Sequence, residues 1–356
     1  MPIRVRFPGD SPRIALDATY SIGDELSGVG LYSREILLGL AAAHPEARLE
    51  FYYRIHRFFG SLSLALPSNV RRRLVAEPLG PRWAALFHGL NQRLPRIPLR
   101  RAIVTFHDLF VMTGEYSTAE FRARFTEQAR EAAGRADAIV AVSAFTKSQV
   151  VSLLGVDPAK VRVVHHGTRK LALPAGVRRE QVILNVGAIQ KRKNIARLVE
   201  AFETVDSAWK LVLAGASGYG APEILERIER SRARERVSVV GYVSPSELAN
   251  WYAKAMIFAF PSLDEGFGMP LLEAMAAEIP IVTSSRSALP EVAGDAALLV
   301  DPENTEALGA ALRRLTQDSD LRRDLSHRGV AQARLFSWEK AVRETWDVYR
   351  EVLGLG

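Results

Sequence analysis

Short apolar runs alternate with longer amphipathic segments from one end of the chain to the other, and this pattern limits the possible folds more than any other feature. The run at 14–18 has the length and composition of a buried strand. The segment at 31–43 then places Ile36, Leu37 and Leu40 at helical spacing. Repeated strand–helix units of this kind form parallel sheets with helices on both faces, so the sequence predicts an α/β protein.

The same alternation predicts the remaining elements. Further strands are expected at 102–106, 138–142, 161–164, 182–186, 210–214, 237–240, 257–260 and 281–283. Helices are expected at 116–134, 145–154, 195–205, 222–234, 246–255 and 270–277, with three more between 306 and 353. The pattern restarts after Gly176, which indicates two units of similar construction.

The length and the linker pattern predict two domains. A chain of 356 residues is long enough for both, and Gly167 and Gly176 punctuate a linker at 166–179. We therefore expect two doubly wound, Rossmann-like domains, at 1–170 and 176–335, facing a cleft. Ligands of doubly wound folds bind beyond the carboxyl ends of the strands, so the cleft is the expected site.

The composition excludes several kinds of site. The chain has no cysteine, which rules out a disulfide scaffold, a thiol nucleophile and a thiolate zinc site. No apolar run approaches the roughly 18 residues of a membrane-spanning helix, and the start of the chain lacks the apolar core of a signal peptide. We expect a cytoplasmic protein.

The excess positive charge lies in the first half of the chain. The whole chain carries 47 Lys and Arg against 40 Asp and Glu, while residues 1–175 alone carry 24 against 15. The densest stretch, 71–101, has eight Arg and one acid, Glu77, interleaved with Trp83 and several leucines. Three interpretations remain open: a solvated helix that packs its Trp and Leu side chains into the core, a contact with an anionic membrane surface, and a nucleic-acid contact.

The sequence from 261 to 273 has the form of an anion site. It follows a predicted strand, and Pro270 suits the first turn of the next helix. The intervening turn is Glu265-Gly266-Phe267-Gly268. The N–H groups and positive dipole end of that helix attract an anion, and Glu265 and Glu273 can accept hydrogen bonds from vicinal hydroxyls. This combination suits a ligand with both phosphate and hydroxyl groups, whereas two capping or solvated surface glutamates are the alternative.

Three consecutive cations follow the predicted strand that ends at Val186. They are Lys191, Arg192 and Lys193, and they precede the next predicted helix. At that position they would add positive charge beside an oxygen-rich anion such as a pyrophosphate. A basic first turn on the surface is the alternative, although cations at a helix N-terminus oppose its dipole.

Together these blocks resemble the C-terminal domain of retaining glycosyltransferases of family four, which have the GT-B fold, and the resemblance extends over nearly the whole chain. Its most specific element is a pair of glutamates with seven residues between them, here Glu265 and Glu273. The other matching motifs are Gly187 with Arg192-Lys193-Asn194, Gly241-Tyr242-Val243, and 284–291 before 298–302. The resemblance implies a nucleotide-sugar donor in the second domain, no metal, no cofactor, and a last helix, about 338–354, that packs back on the first domain.

The resemblance also implies roles for individual donor-binding residues. Arg192 and Lys193 would bind the diphosphate beside Gly187, and Glu273 would bind the ribose hydroxyls. Many members carry Arg directly after the glycine that matches Gly187, where this chain has Ala188. Arg192 is therefore expected to take over that charge.

The transferred sugar and the base have their own expected contacts. Glu265 would hold the sugar together with the backbone of the residues that follow it, Gly266, Phe267, Gly268 and Met269. Tyr242 and Val243 would frame the base.

The first domain offers fewer signals. The backbone of Gly28 and Gly30, before the first helix, could close over a phosphate, although an ordinary strand–helix turn is the alternative. His107 ends a predicted strand and alone fits a structural histidine equally well, but the resemblance implies contact with the donor sugar or the acceptor. Asp108 and Ser143 are further acceptor-side candidates.

We expect an enzyme that transfers a hexose to an acceptor hydroxyl with retention at the anomeric carbon. The motif spacing looks most like bacterial mannosyl- and related hexosyltransferases of surface polysaccharide assembly, which implies GDP-mannose or a UDP-sugar as the donor. The expected acceptor is a glycan, a lipid-linked saccharide or a small molecule. His107, Glu265, Lys193 and Arg192 are the expected catalytic residues, and the two cations would stabilise charge on the departing phosphate.

Two other functions stay open from the sequence. The first is a nucleotide-sugar epimerase on the same fold. The second is a basic, non-enzymatic module for nucleic acid or membrane. Within the transferase hypothesis we expect no nucleic-acid partner, and we expect 71–101 to contact an anionic membrane from the cytoplasmic side.

Overall fold

The predicted alternation of strands and helices is present in the computed structural model, which describes residues 12–23, 26–75, 80–169 and 171–355. The strands are β1 Arg13–Asp17, β2 Arg48–Arg54, β3 Val70–Val75, β4 Leu86–Gly89, β5 Ala102–Phe106, β6 Ala138–Ala141, β7 Val161–Val163, β8 Glu180–Val186, β9 Lys210–Ala214, β10 Val237–Gly241, β11 Ala255–Phe260, β12 Ile281–Ser284 and β13 Ala297–Val300. The helices are α1 Gly28–Ala43, α2 Ile55–Ser61, α3 Phe110–Thr113, α4 Ala119–Arg135, α5 Ala144–Leu154, α6 Ile195–Phe202, α7 Ala221–Glu229, α8 Pro245–Lys254, α9 Met269–Ala276, α10 Leu289–Ala293, α11 Thr305–Gln317, α12 Ser319–Ala333 and α13 Trp338–Leu353.

The chain divides into two units, each with one sheet. Unit 1 takes the described residues of Met1–Met112, Glu120–Gly167 and Ser337–Gly356, and unit 2 takes those of Thr113–Ala119 and Thr168–Phe336. Every strand pair recorded in the described residues is parallel. The predicted α/β class with two Rossmann-like sheets is therefore confirmed.

The two sheets reverse their strand order at equivalent places. In unit 1 the order is β3-β2-β1-β4-β5-β6-β7, and in unit 2 it is β10-β9-β8-β11-β12-β13. The chain moves outward from β8 to one edge of the unit 2 sheet and then returns to place β11 on the other side of β8. The loops after β8 and β11 therefore diverge from neighbouring carboxyl ends, which is where ligands bind in such sheets.

The last helix belongs to unit 1. On α13, Val342 and Tyr349 are buried in the same apolar cluster as Leu37 and Leu40 of α1. A Cβ on Gly39 would lie 2.4 Å from Cγ2 of Val342, so only glycine allows the two helices to approach this closely. Unit 1 is therefore built from both ends of the chain.

The interpretation of 71–101 as a solvated helix, one of the three left open, is wrong for the described part of the stretch. The described part of this stretch contains β3 and β4, joined to the rest by irregular loops. Side chains alternate between the faces of a strand, so Arg71 and Arg73 share one face of β3 while Arg72 points to the other, where it donates to the Leu64 carbonyl. Trp83 is 67% exposed and does not pack into the core.

No helix in the four described ranges is both long and apolar enough to cross a membrane.

Candidate active site

The turn after β8 presents the three cations of the sequence motif. Gly187 adopts φ of +145°, and Lys191–Lys193 form a single 3-10 turn that ends at Asn194, itself left-handed with φ of +58°. A Cβ on Gly187 would lie 3.1 Å from Cε of Lys193, so glycine leaves room for that side chain as well as allowing the backbone geometry. Arg192 and Lys193 are both buried, whereas Lys191 is half-exposed.

Asn194 fixes this turn against the loop that follows β11. Its side-chain amide donates to the carbonyl of Pro261 at 3.1 Å and to that of Pro302 at 2.7 Å. The carbonyl of Arg192 accepts a hydrogen bond from the N–H of Leu263 at 2.9 Å. The sequence motif included Asn194, but these long-range contacts could not be predicted from it.

Arg192 and Lys193 converge on one carboxylate. The Nη1 atom of Arg192 lies 2.7 Å from Oε2 of Glu265, and Nζ of Lys193 lies 2.5 Å from Oε1. Lys193 also sits 4.7 Å from the ring centre of Phe260. Burial opposes ionisation of Glu265, but the two adjacent cations outweigh it and lower its pKa to about 2.

The side chains of Arg192, Lys193 and ionised Glu265 together carry a net charge of +1, and the buried Asp264 directly precedes Glu265. Burying ions without compensation is costly, so Glu265 holds both cations in fixed positions before any ligand arrives. A pyrophosphate brings oxygens that suit the guanidinium fork and the ammonium point charge. The geometry therefore presents positive charge that is already ordered for an anionic ligand.

The helix after this loop is preceded by a glycine in a conformation that other residues rarely adopt. Gly268 has φ of +105° and is the N-cap of α9, and Pro270 lies in its first turn. A Cβ on Gly268 would lie 2.7 Å from Cδ2 of Leu289, so a side chain is excluded by both conformation and space. The N-terminal amides of α9 beginning at Met269 thus lie in the same loop as Glu265 and add their dipole to the positive group.

The rest of this turn is buried. Phe267 packs its ring 5.8 Å from that of Phe336, and the carbonyl of Glu265 accepts from the N–H of Ala288 at 3.2 Å. Gly266 is also buried. These contacts hold the backbone of the turn in one conformation.

Glu273 lies in a different environment from Glu265. Its Oε2 accepts a hydrogen bond from the hydroxyl of Tyr252 at 2.9 Å, and its Oε1 lies 3.9 Å from Nη1 of Arg169. Burial raises the pKa of Glu273, although Tyr252 and Arg169 act in the opposite direction. Neither Tyr252 nor Arg169 was singled out from the sequence, because both are remote from Glu273 along the chain.

Tyr242 and Val243 follow the edge strand β10. Gly241 ends that strand with φ of +71°, and its carbonyl accepts from the N–H of Gly215 at 2.7 Å. Tyr242 is about half-exposed. Two strand spacings, about 10 Å, separate β10 from β8, a distance that a nucleotide can span.

In unit 1, Gly28 and Gly30 form the start of α1. The Ser27 hydroxyl caps this helix by accepting from the N–H of Gly30 at 3.2 Å. A Cβ on Gly30 would lie 2.8 Å from the carbonyl oxygen of Tyr20, which explains why glycine is needed there. Capping and close packing therefore account for Gly30, whose N–H already has an acceptor.

His107 follows β5 and is buried. Its Nε2 lies 2.9 Å from the Leu90 carbonyl, and its ring packs 4.7 Å from that of Tyr32 and 5.4 Å from that of His166. Burial lowers the pKa of His107 to about 4, against the weaker effect of the Leu90 carbonyl. The ring is therefore neutral at pH 7, and because Nε2 must donate to the carbonyl, Nδ1 is left as an acceptor.

Asp108 and Ser143 lie near the carboxyl ends of neighbouring strands. Asp108 is partly buried directly after His107. Ser143 is fully buried and caps α5, where its hydroxyl accepts from the N–H of Thr146 at 2.9 Å. The structure thus gives Ser143 a capping role.

A chain of buried hydrogen bonds in unit 1 was missed by sequence reasoning. The Tyr349 hydroxyl lies 2.6 Å from Nδ1 of His88, Nε2 of His88 lies 2.9 Å from the Thr105 hydroxyl, and that hydroxyl lies 3.0 Å from the hydroxyl of Tyr32. Tyr32 in turn packs on His107. The network ties the last helix to the strand that carries His107, and no local motif could have indicated it.

Comparison with known proteins identifies the family. Two family models match the chain, Glycosyltransferase Family 4 over residues 39–169 and Glycosyl transferases group 1 over residues 175–332. The chain is 30% identical over 381 residues to O-antigen chain mannosyltransferase B of Escherichia coli, covering 94% of this chain and 98% of that protein. The chain belongs to glycosyltransferase family 4.

Solved structures agree with the fold of this glycosyltransferase. Sucrose-phosphate synthase from Thermosynechococcus elongatus matches with a TM-score of 0.77 and 21% identity, over 97% of this chain and 100% of that chain. HepE from Anabaena, in complex with UDP and glucose, matches with a TM-score of 0.71 and 14% identity, over 96% and 99% of the two chains. At these identities the likeness concerns the fold, and it confirms the predicted GT-B class.

The comparisons also distinguish between the enzyme functions that the sequence analysis left open. They confirm the prediction of a glycosyltransferase, and they give the epimerase alternative no support. O-antigen chain mannosyltransferase RfbU of Salmonella typhimurium is a further relative, 26% identical over 62% of this chain and 63% of that protein. The glycosyltransferase places Arg192, Lys193 and Glu265 in direct contact, while Glu273 lies four residues into the helix that starts beside them.

Proposed function

We propose that this glycosyltransferase transfers mannose from GDP-mannose to a hydroxyl of a glycan or lipid-linked saccharide in surface polysaccharide assembly, with a UDP-sugar as the alternative donor. The observation that carries the proposal is the buried group of Arg192, Lys193 and Glu265 beside the start of α9. The relatives from Escherichia coli and Salmonella typhimurium, both named as mannosyltransferases, support the choice of sugar.

The chemistry follows from the position of charge. In the proposed step the bond between the anomeric carbon and the β-phosphate oxygen breaks, and the departing nucleoside diphosphate takes up the electron pair. Arg192, Lys193 and the N-terminal amides of α9 stabilise the negative charge that develops on that phosphate. The acceptor oxygen then bonds to the anomeric carbon, and its proton passes to the departing phosphate oxygen on the same face of the sugar.

The contacts that Glu265 and Glu273 make within the protein favour retention by this same-face route. A double displacement would need a carboxylate nucleophile. Both oxygens of Glu265 contact cations, and Oε2 of Glu273 accepts from Tyr252, so both side chains already hold neighbouring groups. In the proposal Glu265 orders the two cations. Tyr252 holds the side chain of Glu273 in position, and Glu273 in turn orients the nucleotide.

We propose that neither a metal nor a cofactor takes part. Asp318 and Asp320 have the Asp-x-Asp spacing of some metal-binding motifs, but Asp318 serves as the cap of α12, accepting the N–H groups of Asp320 at 3.1 Å and Leu321 at 2.9 Å. The positive charge that a metal would bring to the leaving group is supplied in the proposal by Arg192 and Lys193.

A thermal-shift series tests the donor. GDP, UDP, ADP and their sugars are added to the full chain, and a ligand that binds only the folded state raises the melting temperature. We expect GDP and GDP-mannose to give the largest shifts, and we expect the Lys193→Ala variant to lose most of them. Lys191→Ala, in the same turn but half-exposed, is the matched control and should keep the shifts. Equal shifts in the Lys193→Ala variant and the parent would contradict the proposed site.

We further propose that unit 1 contacts an anionic membrane through α2 rather than through 71–101. Ile55, Phe59 and Leu62 recur at helical spacing and are 66%, 72% and 55% exposed. Arg54 and Arg57 lie at the start of α2, and 51–70 contains no acidic residue. Exposed apolar side chains flanked by cations match the interface of an anionic bilayer.

Vesicle flotation tests this surface. Removal of one large apolar anchor, in the Phe59→Ser variant, should weaken binding to phosphatidylglycerol vesicles about tenfold. Leu335→Ser, at another exposed leucine in unit 2, is the control and should bind as the parent does. Equal binding to neutral and anionic vesicles, or an unchanged Phe59→Ser variant, would rule out the proposed contact.

A further inference from the structure

Unit 1 contains a cavity of about 480 Å³ at the carboxyl ends of its first three strands. Asp17, Arg54 and Val75 are the last residues of β1, β2 and β3, and all three line it. The opposite side is formed by residues 93–96, in the loop after β4, and by one face of α4. Its volume falls in the range of small-molecule sites, which is about 300–1,000 Å³.

Three arginines line this cavity, Arg54, Arg93 and Arg96. The Nε atom of Arg93 is buried and has no hydrogen-bond partner among the described residues. A buried donor of this kind carries an energetic penalty unless a ligand or water satisfies it. Arg93 therefore borders the cavity and keeps hydrogen-bonding capacity that no described residue uses.

The two acids that also line the cavity are already engaged. Oδ1 of Asp17 accepts the N–H of Thr19 at 3.0 Å. Glu131 on α4 lies 3.7 Å from Nε of Arg96 and 3.2 Å from Nη1 of Arg135. Among the described residues that line the cavity, three arginines stand against these two carboxylates, so their net charge is positive.

The loop that carries Arg93 and Arg96 is held in place. Nη2 of Arg135 donates to the carbonyls of Pro95 and Ile97, both at 2.8 Å. At the start of the loop, a Cβ on Gly89 would lie 2.3 Å from the Arg93 carbonyl oxygen, so the chain turns tightly there. The cationic wall is thus ordered before a ligand binds, which lowers the entropic cost of binding.

We propose that this cavity binds the phosphate group of a phosphate-bearing acceptor substrate. The inference rests on the proposed transferase function, because the acceptor is the second substrate of that reaction. Guanidinium groups pair with phosphate oxygens through two parallel hydrogen bonds, and a lipid diphosphate or a sugar phosphate would present the same group. In this proposal the basic stretch at 71–101 takes part in phosphate binding, since it supplies Arg93 and Arg96.

Calorimetric titration with inorganic pyrophosphate tests the cavity. The Arg192→Gln/Lys193→Gln double variant of the full chain removes the proposed donor diphosphate contacts and serves as the background. We expect it to bind pyrophosphate, and we expect a further Arg93→Gln substitution to weaken that binding about tenfold. Arg93→Lys, which keeps the charge but loses the fork, should lie between the two.

A second variant and a matched control guard against misfolding and general charge effects. Arg54→Gln, on a different element, should weaken pyrophosphate binding in the same direction. Arg130→Gln, an exposed residue of α4 that does not line the cavity, should leave it unchanged. No pyrophosphate binding in the double variant, or binding within twofold of that background in both Arg93→Gln and Arg54→Gln, would overturn the proposal.

The source of the phosphate and the donor proposal are tested separately. Farnesyl diphosphate binding more tightly than pyrophosphate supports a lipid-linked acceptor, and glucose 1-phosphate doing so supports a soluble sugar phosphate. A short RNA that displaces pyrophosphate more effectively than either would overturn the acceptor assignment. Thermal shifts with GDP-mannose in Arg93→Gln should match those of the parent, so a failure of the donor proposal appears in that measurement and not in the pyrophosphate titration.

Discussion

Replacing Lys193 with alanine should lower kcat by about 100-fold or more, because the variant loses a fixed positive charge where the leaving phosphate becomes negative. Loss of this ammonium also leaves Glu265 with one cation instead of two. Glu265→Ala should lower kcat to a similar extent for a different reason, since Arg192 and Lys193 would then repel each other and lose their fixed positions. Both effects are measured as nucleoside diphosphate release from the donor selected by thermal shift, with acceptor present.

Two further variants make the kcat measurement decisive. Lys191→Ala removes a cation from the same turn but outside the buried group, and it should turn over within about threefold of the parent. Glu265→Gln retains the shape and removes the charge, so it should lose activity if Glu265 acts by ordering the cations. Near-normal turnover in folded Lys193→Ala protein would remove Lys193 from the site.

Acidification from pH 7 to pH 5 should cost unit 1 about 2 kcal/mol of stability through His107 alone. Burial lowers the pKa of His107 from 6.5 to about 4 in the folded state. Above pH 6.5 both states are neutral and the group has no effect. Between pH 6.5 and 4 the unfolded chain binds a proton that the folded chain does not, so stability falls as the pH falls. His88, whose pKa burial lowers to about 3, should add to the loss.

The measurement is the free energy of unfolding of unit 1 at pH 7 and at pH 5. At each pH, urea is titrated and unfolding is followed by hydrogen exchange of the peptides that span β5. His107→Gln keeps a side chain of similar size that does not titrate, and it should reduce the difference between the two pH values. An equal pH dependence in this variant and in the parent would show that His107 is not buried in its neutral form.

The sequence predicted most elements of unit 2 and its charged turns because each depends on local signals, but it missed the short helix α10 and the edge strand β13. A strand, a glycine turn and a helix follow one another at both Gly187 and Gly268, and the charged residues lie within these turns. The pairing of Glu273 with Tyr252 joins residues on two different helices, and no spacing rule connects them. The same holds for Tyr349 and His88, which are 261 residues apart.

The error at 71–101 has a related cause. β3 is an edge strand with arginines on both faces, so its apolar side does not alternate with a polar one. A run of cations has no hydrophobic periodicity that would indicate a strand. The neighbouring leucines therefore favoured a helical interpretation. The cavity to which Arg93 and Arg96 contribute is formed by four strands, the loop after β4 and α4, and it could not be found from any one segment.

The fit of α13 against α1, made possible by Gly39, also bears on synthesis of the protein. Leu37 and Leu40 are covered by a helix that comes after every strand of unit 2 in the chain. During translation the core of unit 1 therefore stays incomplete until α13 has emerged from the ribosome, and every strand of unit 2 emerges before α13 does. The synthesis of unit 1 thus begins before that of unit 2, but its core is completed after the strands of unit 2 have been made.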